Sequence, residues 1–381
     1  MPKHLVAIDL AAPAAAREVA AVWRSGDAVH VVDRAASGEV RAAALAAVRP
    51  TRLVDASGVT DLEGDAPADE VCAVVLTSGT TVGRAVDLTE RGVRHMAGAY
   101  TTALGLDAAD GWLAVMPLSG VAGLAIVARG YVTETKVTVH DGFDVAAVAR
   151  EAAGGSVTVV SLVPTMLHRL FEADVPLDRL GTLVVGGAPL SRTLHRAAAG
   201  AGARLVTSYG MTETWGGFAL DGRPLDGAEV RIAGDGEVQV KGPMVMAGYR
   251  GDPAATASAF DGDWLRTRDS GTWDGTRLEI TGRLDDVIIS GGIKVSPSMV
   301  EDALVEHGLV ADAAVIGEED EEWGQRIVAE VVAADPQLLP TLQELRDHVG
   351  ARLSMTAAPR EVRFVEAIER NRGGKVVRRR P

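Results

Sequence analysis

The chain alternates short, nearly continuous runs of β-branched and aliphatic residues with alanine-rich segments of helical spacing. Such runs at Val71 to Thr77, Trp112 to Met116, Lys136 to Val139, Val157 to Leu162, Thr182 to Val185 and Arg204 to Thr207 predict parallel strands covered on both faces by helices. The first two-thirds is therefore expected to be α/β. Beyond about Gly217 the pattern shortens to glycine-broken strands, Glu229 to Ile232, Gly236 to Lys241 and Arg277 to Ile280, which predict a small β-rich module ending the large domain. From Pro297 the order is helix (Ser298 to His307), strand (Ala313 to Ile316), strand (Arg326 to Val332), helix (Leu342 to Arg352) and strand (Glu361 to Phe364). That order predicts a separate α+β lid, joined through Gly282 to Pro297. The expected organisation is a large domain over 1–284, β-rich from about 218, and a C-terminal domain over 285–381.

With 381 residues the chain has room for two or three domains and a large core. Its 38 Lys plus Arg against 52 Asp plus Glu leave a formal charge of −14, the wrong sign for wrapping nucleic acid or coating an anionic membrane. Small-molecule partners are expected instead. The single cysteine, Cys72, fits a reducing compartment and reads as a buried structural thiol. No stretch reaches the roughly 18 apolar residues of a membrane span, and the first residues lack the apolar core of a secretory signal, so a cytoplasmic location is expected. A homodimer is compatible with these features.

Four clusters carry candidate chemistry. Thr77, Ser78, Gly79, Thr80 and Thr81 follow an apolar strand, and hydroxyls with free N–H groups on a glycine turn suit phosphate oxygens. No Gly-Lys-Ser/Thr follows, so it is not a Walker loop, and an ordinary strand-to-loop turn has the same composition. Ser208, Tyr209, Gly210, Met211, Thr212 and Glu213 lie just beyond another strand and offer a flat ring, a hydroxyl and a carboxylate able to hold Mg²⁺. Gly186, Gly187 and Ala188 end a third strand and let backbone approach a ring; a turn between strand and helix explains either stretch equally well. Asp269 and Arg283 can serve a ribose or form a surface ion pair. Lys375 follows two glycines near the C-terminus and is a compact, deliverable charge, whereas Arg378 to Arg380 read as a solvated tail. His168 and His195 fall on helical segments as surface or packing residues, and the eight histidines show no metal-ligand spacing.

In their order the motifs TSGTT, SYGMTE, GEVQVKGPMVMAGY, WLRTRDSG, GRLDDVIISGGIKVSP and NRGGK resemble those of the adenylate-forming superfamily of acyl-CoA synthetases, luciferases and peptide-synthetase adenylation domains. The resemblance covers residues from about 71 to 378. The stretches MPLSGVAGLAIVAR, LVVGGAPLSRTLHRAAAGAGARLVTSYGMTET, DGRPLDGAEVRI and GQRIVAEVV are similar to the CoA ligases that act on o-succinylbenzoate in menaquinone biosynthesis, in their shortened form. An adenylating paralogue for another aryl or acyl acid, or a weakly catalytic nucleotide-binding homologue, is the alternative.

The resemblance implies an α/β adenylate-forming fold with a mobile lid, the substrates ATP, CoA and a small carboxylic acid, and Mg²⁺. It implies that the acid's carboxylate attacks the α-phosphorus of ATP and that the CoA thiol then displaces AMP. The attacking carboxylate is already ionised near neutral pH, so that step needs no general base. By resemblance, Thr77 to Thr81 hold the β- and γ-phosphates, and Tyr209 stacks on adenine beside Gly186, Gly187 and Ala188. Thr212 touches the α-phosphate, Glu213 binds Mg²⁺, and Asp269 takes the ribose with Arg283 nearby. Lys375 bridges carboxylate and α-phosphate, Asp285 is the hinge, and Gly291, Gly292 and Ile293 face the pantetheine channel.

Three departures stand out. The phosphate loop continues Val82-Gly83-Arg84-Ala85 where the superfamily usually has Gly-x-Pro-Lys, so the lysine is missing. Gly120 replaces the usual histidine or aromatic, and Arg268 stands where glycine or aspartate is usual. For a dicarboxylate substrate, the carboxylate that is not activated needs a buried positive partner. Arg129 is the candidate, with Ser119 and Thr214 lining the acyl pocket.

Overall fold

A computed structural model describes residues 3–77, 83–370 and 376–378. The chain packs as two compact units. One comprises Met1–Gly187, Ala198–Val230 and Val240–Arg266; the other comprises Ala188–Ala197, Arg231–Gln239 and Thr267–Pro381.

The first unit contains two seven-stranded sheets. One runs Gly248–Tyr249, Ala85–Thr89, Val71–Leu76, Ala28–Val31, Leu5–Asp9, Arg52–Asp55, Gly58–Asp61. Its four middle strands are parallel, and its edges turn antiparallel. The other runs Arg223–Pro224, Gly216–Leu220, Arg204–Met211, Thr182–Gly186, Val159–Leu162, Gly111–Ala114, Lys136–Val139, with five parallel strands and an antiparallel edge. The α/β expectation therefore holds, with a correction: the sheets are mixed, because Thr77 and Arg84 close a tight reversal and Thr212–Thr214 form a 3-10 turn that sends the next strand back. Leu113, Val160 and Leu183 are fully buried, as strands covered on both faces require.

Local signals set the helix ends. Thr89 caps Glu90–Leu104 by accepting from the Gly92 N–H, and Gly105, at φ +69°, ends it. Asp144 caps Val145–Gly154 through the Ala147 N–H. Cys72 is buried beside this core, and burial pushes its thiol up to about 12, which leaves it inert.

The β-rich stretch expected from about 218 contains Gly216–Leu220, Glu229–Ile232, Glu237–Lys241, Trp264–Trp273 and Leu278–Arg283 as strands. In the second unit a sheet runs Ile293–Val295, Ile288–Ser290, Gly324–Ala333, Val310–Asp320, with Glu361–Phe364 parallel to Gly324–Ala333. Helices Pro297–Val305 and Leu342–Arg352 cover it, burying Val300, Leu304, Leu345 and Val349 against Val315, Ile327 and Val331. Thr341 and Glu344 form a reciprocal capping box at the start of the second helix. Among the described residues, no helix is long and apolar enough to cross a membrane.

Candidate active site

The first candidate loop is closed by its own ends. The Thr77 N–H donates to the Arg84 carbonyl at 2.9 Å, and the Arg84 N–H donates to Thr77 Oγ1 at 3.0 Å. Gly83 lies so close to the Thr77 carbonyl that a Cβ there would overlap it. Ser78, Gly79, Thr80, Thr81 and Val82 lie outside the described residues. Ala85, where the superfamily usually has lysine, is buried at the first position of its strand. Arg84 is the cation this chain brings here, and its guanidinium carbon stands 5.3 Å from the centre of the Tyr249 ring.

Ser208, Tyr209 and Gly210 lie on a strand and not beyond it, because Arg204–Met211 is longer than its apolar run suggests. Polar residues are tolerated there because that part of the strand is only half buried. Gly186 pairs in register with Ser208, and a Cβ on it would come within 2.6 Å of the Ser208 carbonyl. Gly187 follows at φ +82°, a conformation that suits glycine; Ala188 is half-buried. The Tyr209 ring meets Phe218 edge-on, with centroids 5.1 Å apart.

Thr212 and Glu213 sit on the 3-10 turn Thr212–Thr214. The Glu213 carboxylate is buried, and its Oε1 accepts a hydrogen bond from the Tyr249 hydroxyl at 2.9 Å. Burial, then the Glu213 charge, raise the Tyr249 phenol above its usual value, against the pull of Arg84. Among the described residues Glu213 has no ion-pair partner. A buried carboxylate without a cation is costly alone and fits a hard divalent ion. Thr214 is fully buried, and its hydroxyl donates to the Gly216 carbonyl at 2.7 Å and accepts from the Met211 N–H at 3.1 Å. It builds the turn. Trp215, at φ +54°, anchors the turn by donating from Nε1 to the Thr89 carbonyl at 3.0 Å.

On the helix Val121–Thr133, Arg129 is only 6% exposed. Its guanidinium carbon lies 3.7 Å from the Tyr100 ring centre and 5.2 Å from that of Trp112, and its Nε has no hydrogen-bond partner among the described residues. Burial pulls its pKa down, against the influence of Tyr100. The Tyr100 hydroxyl lies 2.9 Å from Ser208 Oγ, which joins this cation to the strand that carries Tyr209. Ser119 and Gly120 precede the helix and are half-buried. A Cβ at Gly120 would meet nothing nearer than the Pro117 carbonyl at 3.8 Å, so the position is open.

In the second unit, Asp269 and Arg283 face each other in strand register and form an ion pair at 3.1 Å. Arg268 before them is held at φ +62°, which is the physical reason glycine or aspartate suits this position. Its N–H donates to buried Glu237 at 3.0 Å, and its guanidinium pairs with Asp285 at 2.6 Å. Asp285 occupies the 3-10 turn Leu284–Asp286. Gly291 and Gly292 both have positive φ and precede Ile293, which is 50% exposed. Lys375 lies outside the described residues. Arg378, expected to be solvated, is instead held between Glu301 and Asp286. Sequence reasoning assigned no role to it or to Tyr249, although both fall inside or beside quoted motifs.

Residues 3–250 match the family model of the AMP-binding enzyme, and residues 299–375 match that of the AMP-binding enzyme C-terminal domain. The chain belongs to the AMP-binding enzyme family. This AMP-binding enzyme is 38% identical over 330 residues to the "Probable 2-succinylbenzoate--CoA ligase" of Mycobacterium tuberculosis, covering 83% of this chain and 85% of that one. It is 32% identical over 363 residues to the 2-succinylbenzoate–CoA ligase of Bacillus licheniformis, covering 87% and 75%. Its structure is similar to that of o-succinylbenzoate CoA synthetase from Bacillus subtilis in complex with the acyl-adenylate intermediate OSB-AMP. That similarity has a TM-score of 0.85, 27% identity, and coverage of 99% of this chain and 87% of the other. The amide bond synthetase McbA from Marinactinospora thermotolerans gives a TM-score of 0.87 at 28% identity over 98% and 88%. The AMP-binding enzyme thus has the adenylate-forming fold its motifs imply.

Proposed function

We propose that the chain is an ATP-dependent acid–CoA ligase that converts o-succinylbenzoate to o-succinylbenzoyl-CoA through an acyl-adenylate. The observation that carries this reading is the presence, in one unit, of a buried carboxylate, Glu213, and a buried guanidinium, Arg129, neither with an ion-pair partner among the described residues. The first suits magnesium nucleotide; the second suits the spare carboxylate of a dicarboxylic acid. Curated relatives with the same named activity support the substrate.

The residues divide the work by position. Tyr209 offers a ring face held by Phe218, and Gly186 keeps the neighbouring strand close beside it. Glu213, oriented by Tyr249, would hold Mg²⁺, which supplies charge compensation on phosphate oxygens. Thr212, its neighbour in sequence, would take the α-phosphate, and Asp269 with Arg283 would take the ribose. The substrate carboxylate attacks phosphorus and pyrophosphate leaves; in-line positioning and charge stabilisation carry such a step. Lys375 would bridge the two reacting groups. Asp285, exposed on its short turn between the two matched segments, would serve as hinge. Dependence on ATP and CoA supports a cytoplasmic location.

The test is pyrophosphate release with a panel of carboxylic acids, followed by product analysis with CoA. Release that depends on o-succinylbenzoate, with thioester formed on adding CoA, is expected; preference for a monocarboxylic acid would overturn the substrate assignment. The likeness to an amide bond synthetase supports a second reading, transfer of the adenylate to an amine, and replacing CoA by amines in the same assay separates the two.

A further inference from the structure

The geometry points to Arg378 as a positioning residue for adenylation. It ties the chain immediately after Lys375 to the turn that carries Asp285. The inference rests on the assignment of Lys375 to adenylation.

Arg378 spends its guanidinium on two carboxylates. Nη2 donates to both oxygens of Glu301 at 2.7 and 2.8 Å, and Nη1 donates to Asp286 Oδ2 at 3.1 Å. Nε adds a bond to the Val315 carbonyl at 3.2 Å. One planar guanidinium thus serves three separate acceptor groups from three nitrogens, which a lysine cannot reproduce. Glu301 is 9% exposed and meets this guanidinium from the helix Pro297–Val305, while its Oε1 also accepts from the Val315 N–H at 2.8 Å.

The other end of the same stretch is fixed as well. Arg370 donates from Nη2 to both oxygens of Asp312, at 2.7 and 3.0 Å. Arg370 and Val376 form an antiparallel bridge, and the Val377 N–H donates to the Glu369 carbonyl at 2.9 Å. Residues 370 and 376 therefore stand side by side. Arg378 then fastens that place to Asp286, the immediate neighbour of Asp285. A rotation at Asp285 would then move Asp286, Glu301 and the chain that follows Lys375 in sequence together. Misplacement by about 1 Å can cost ~100-fold in rate even when no contact to substrate is lost.

The experiment compares the full-length chain with Arg378→Lys, Arg378→Ala, Glu301→Gln and Lys375→Ala. Two half-reactions are measured: pyrophosphate release from ATP and acid, and consumption of supplied acyl-adenylate by CoA. Arg378→Ala is expected to slow adenylation about 100-fold, and Arg378→Lys and Glu301→Gln about 10-fold, with KM for ATP and the thioester step held within about twofold. Arg378→Lys keeps the charge and serves where the alanine variant fails to fold. Wild-type adenylation in Arg378→Lys, or equal losses in both steps, overturns the inference while a selective defect in Lys375→Ala leaves the lysine assignment standing. Equal losses in Lys375→Ala overturn that assignment and the inference with it.

Discussion

The Tyr249 hydroxyl donates to Glu213 at 2.9 Å while the Arg84 guanidinium carbon stands 5.3 Å from the centre of the same ring. Three sequence-distant segments thereby meet at one tyrosine. A hydrogen bond to a charged group contributes about 1.5–3 kcal/mol, so Tyr249→Phe should raise the Mg²⁺ concentration needed for half-maximal pyrophosphate release by roughly tenfold or more. Because the phenol is raised above its usual value, the donor stays protonated, and activity should not titrate with it between about pH 7 and 10. An unchanged Mg²⁺ titration in Tyr249→Phe would remove its orienting role.

Gly186→Ala places a methyl group against the Ser208 carbonyl, on backbone that cannot swing aside. Overpacking of this kind costs about 1–3 kcal/mol, and the strand beside Tyr209 must shift. Weaker ATP binding with a lowered melting temperature is expected; calorimetric titration with ATP checks it, and wild-type affinity would show that the strand spacing does not matter to the nucleotide.

Arg129→Met keeps the stem of the side chain and removes the buried charge. Truncating one partner of a buried charge pair costs about 2 kcal/mol or more, so the KM for o-succinylbenzoate should rise at least ~30-fold. For an aryl acid without the second carboxylate, KM should hardly change or should fall. Parallel losses for both acids would mean that Arg129 serves only the packing of Tyr100 and Trp112.

Glu318 provides the pH dependence of the second unit. Hydrogen bonds from Arg363 and Arg326 hold its carboxyl at about 2, below the ordinary 4.5. With the folded value depressed, the stabilisation is complete above about 4.5 and drains away as pH falls towards 2. Glu318→Gln should therefore lower the melting temperature near neutrality and flatten its decline in acid. Melting curves from pH 2 to 7 that run parallel for both proteins would exclude the contribution.

Much of the architecture was legible because burial on both faces leaves an uninterrupted apolar run. Lys136–Val139 and Glu361–Phe364 appear with the bounds the sequence predicts. The antiparallel edges escaped, since Ala85–Thr89 and Gly216–Leu220 carry no signal of direction and their reversal depends on Thr77 meeting Arg84 and on the turn capped by Thr214. The motif order exposed the family. It did not expose what holds the motifs, because Tyr249 with Glu213 and Arg378 with Glu301 are pairs made only by folding, 36 and 77 residues apart.

The reciprocal bonds between Thr77 and Arg84 have an evolutionary consequence. They are borne largely by main chain and by one threonine, so the two ends of the span stand wherever the two strands put them. Substitutions between those ends can change the side chains the span presents while the scaffold beneath keeps its shape.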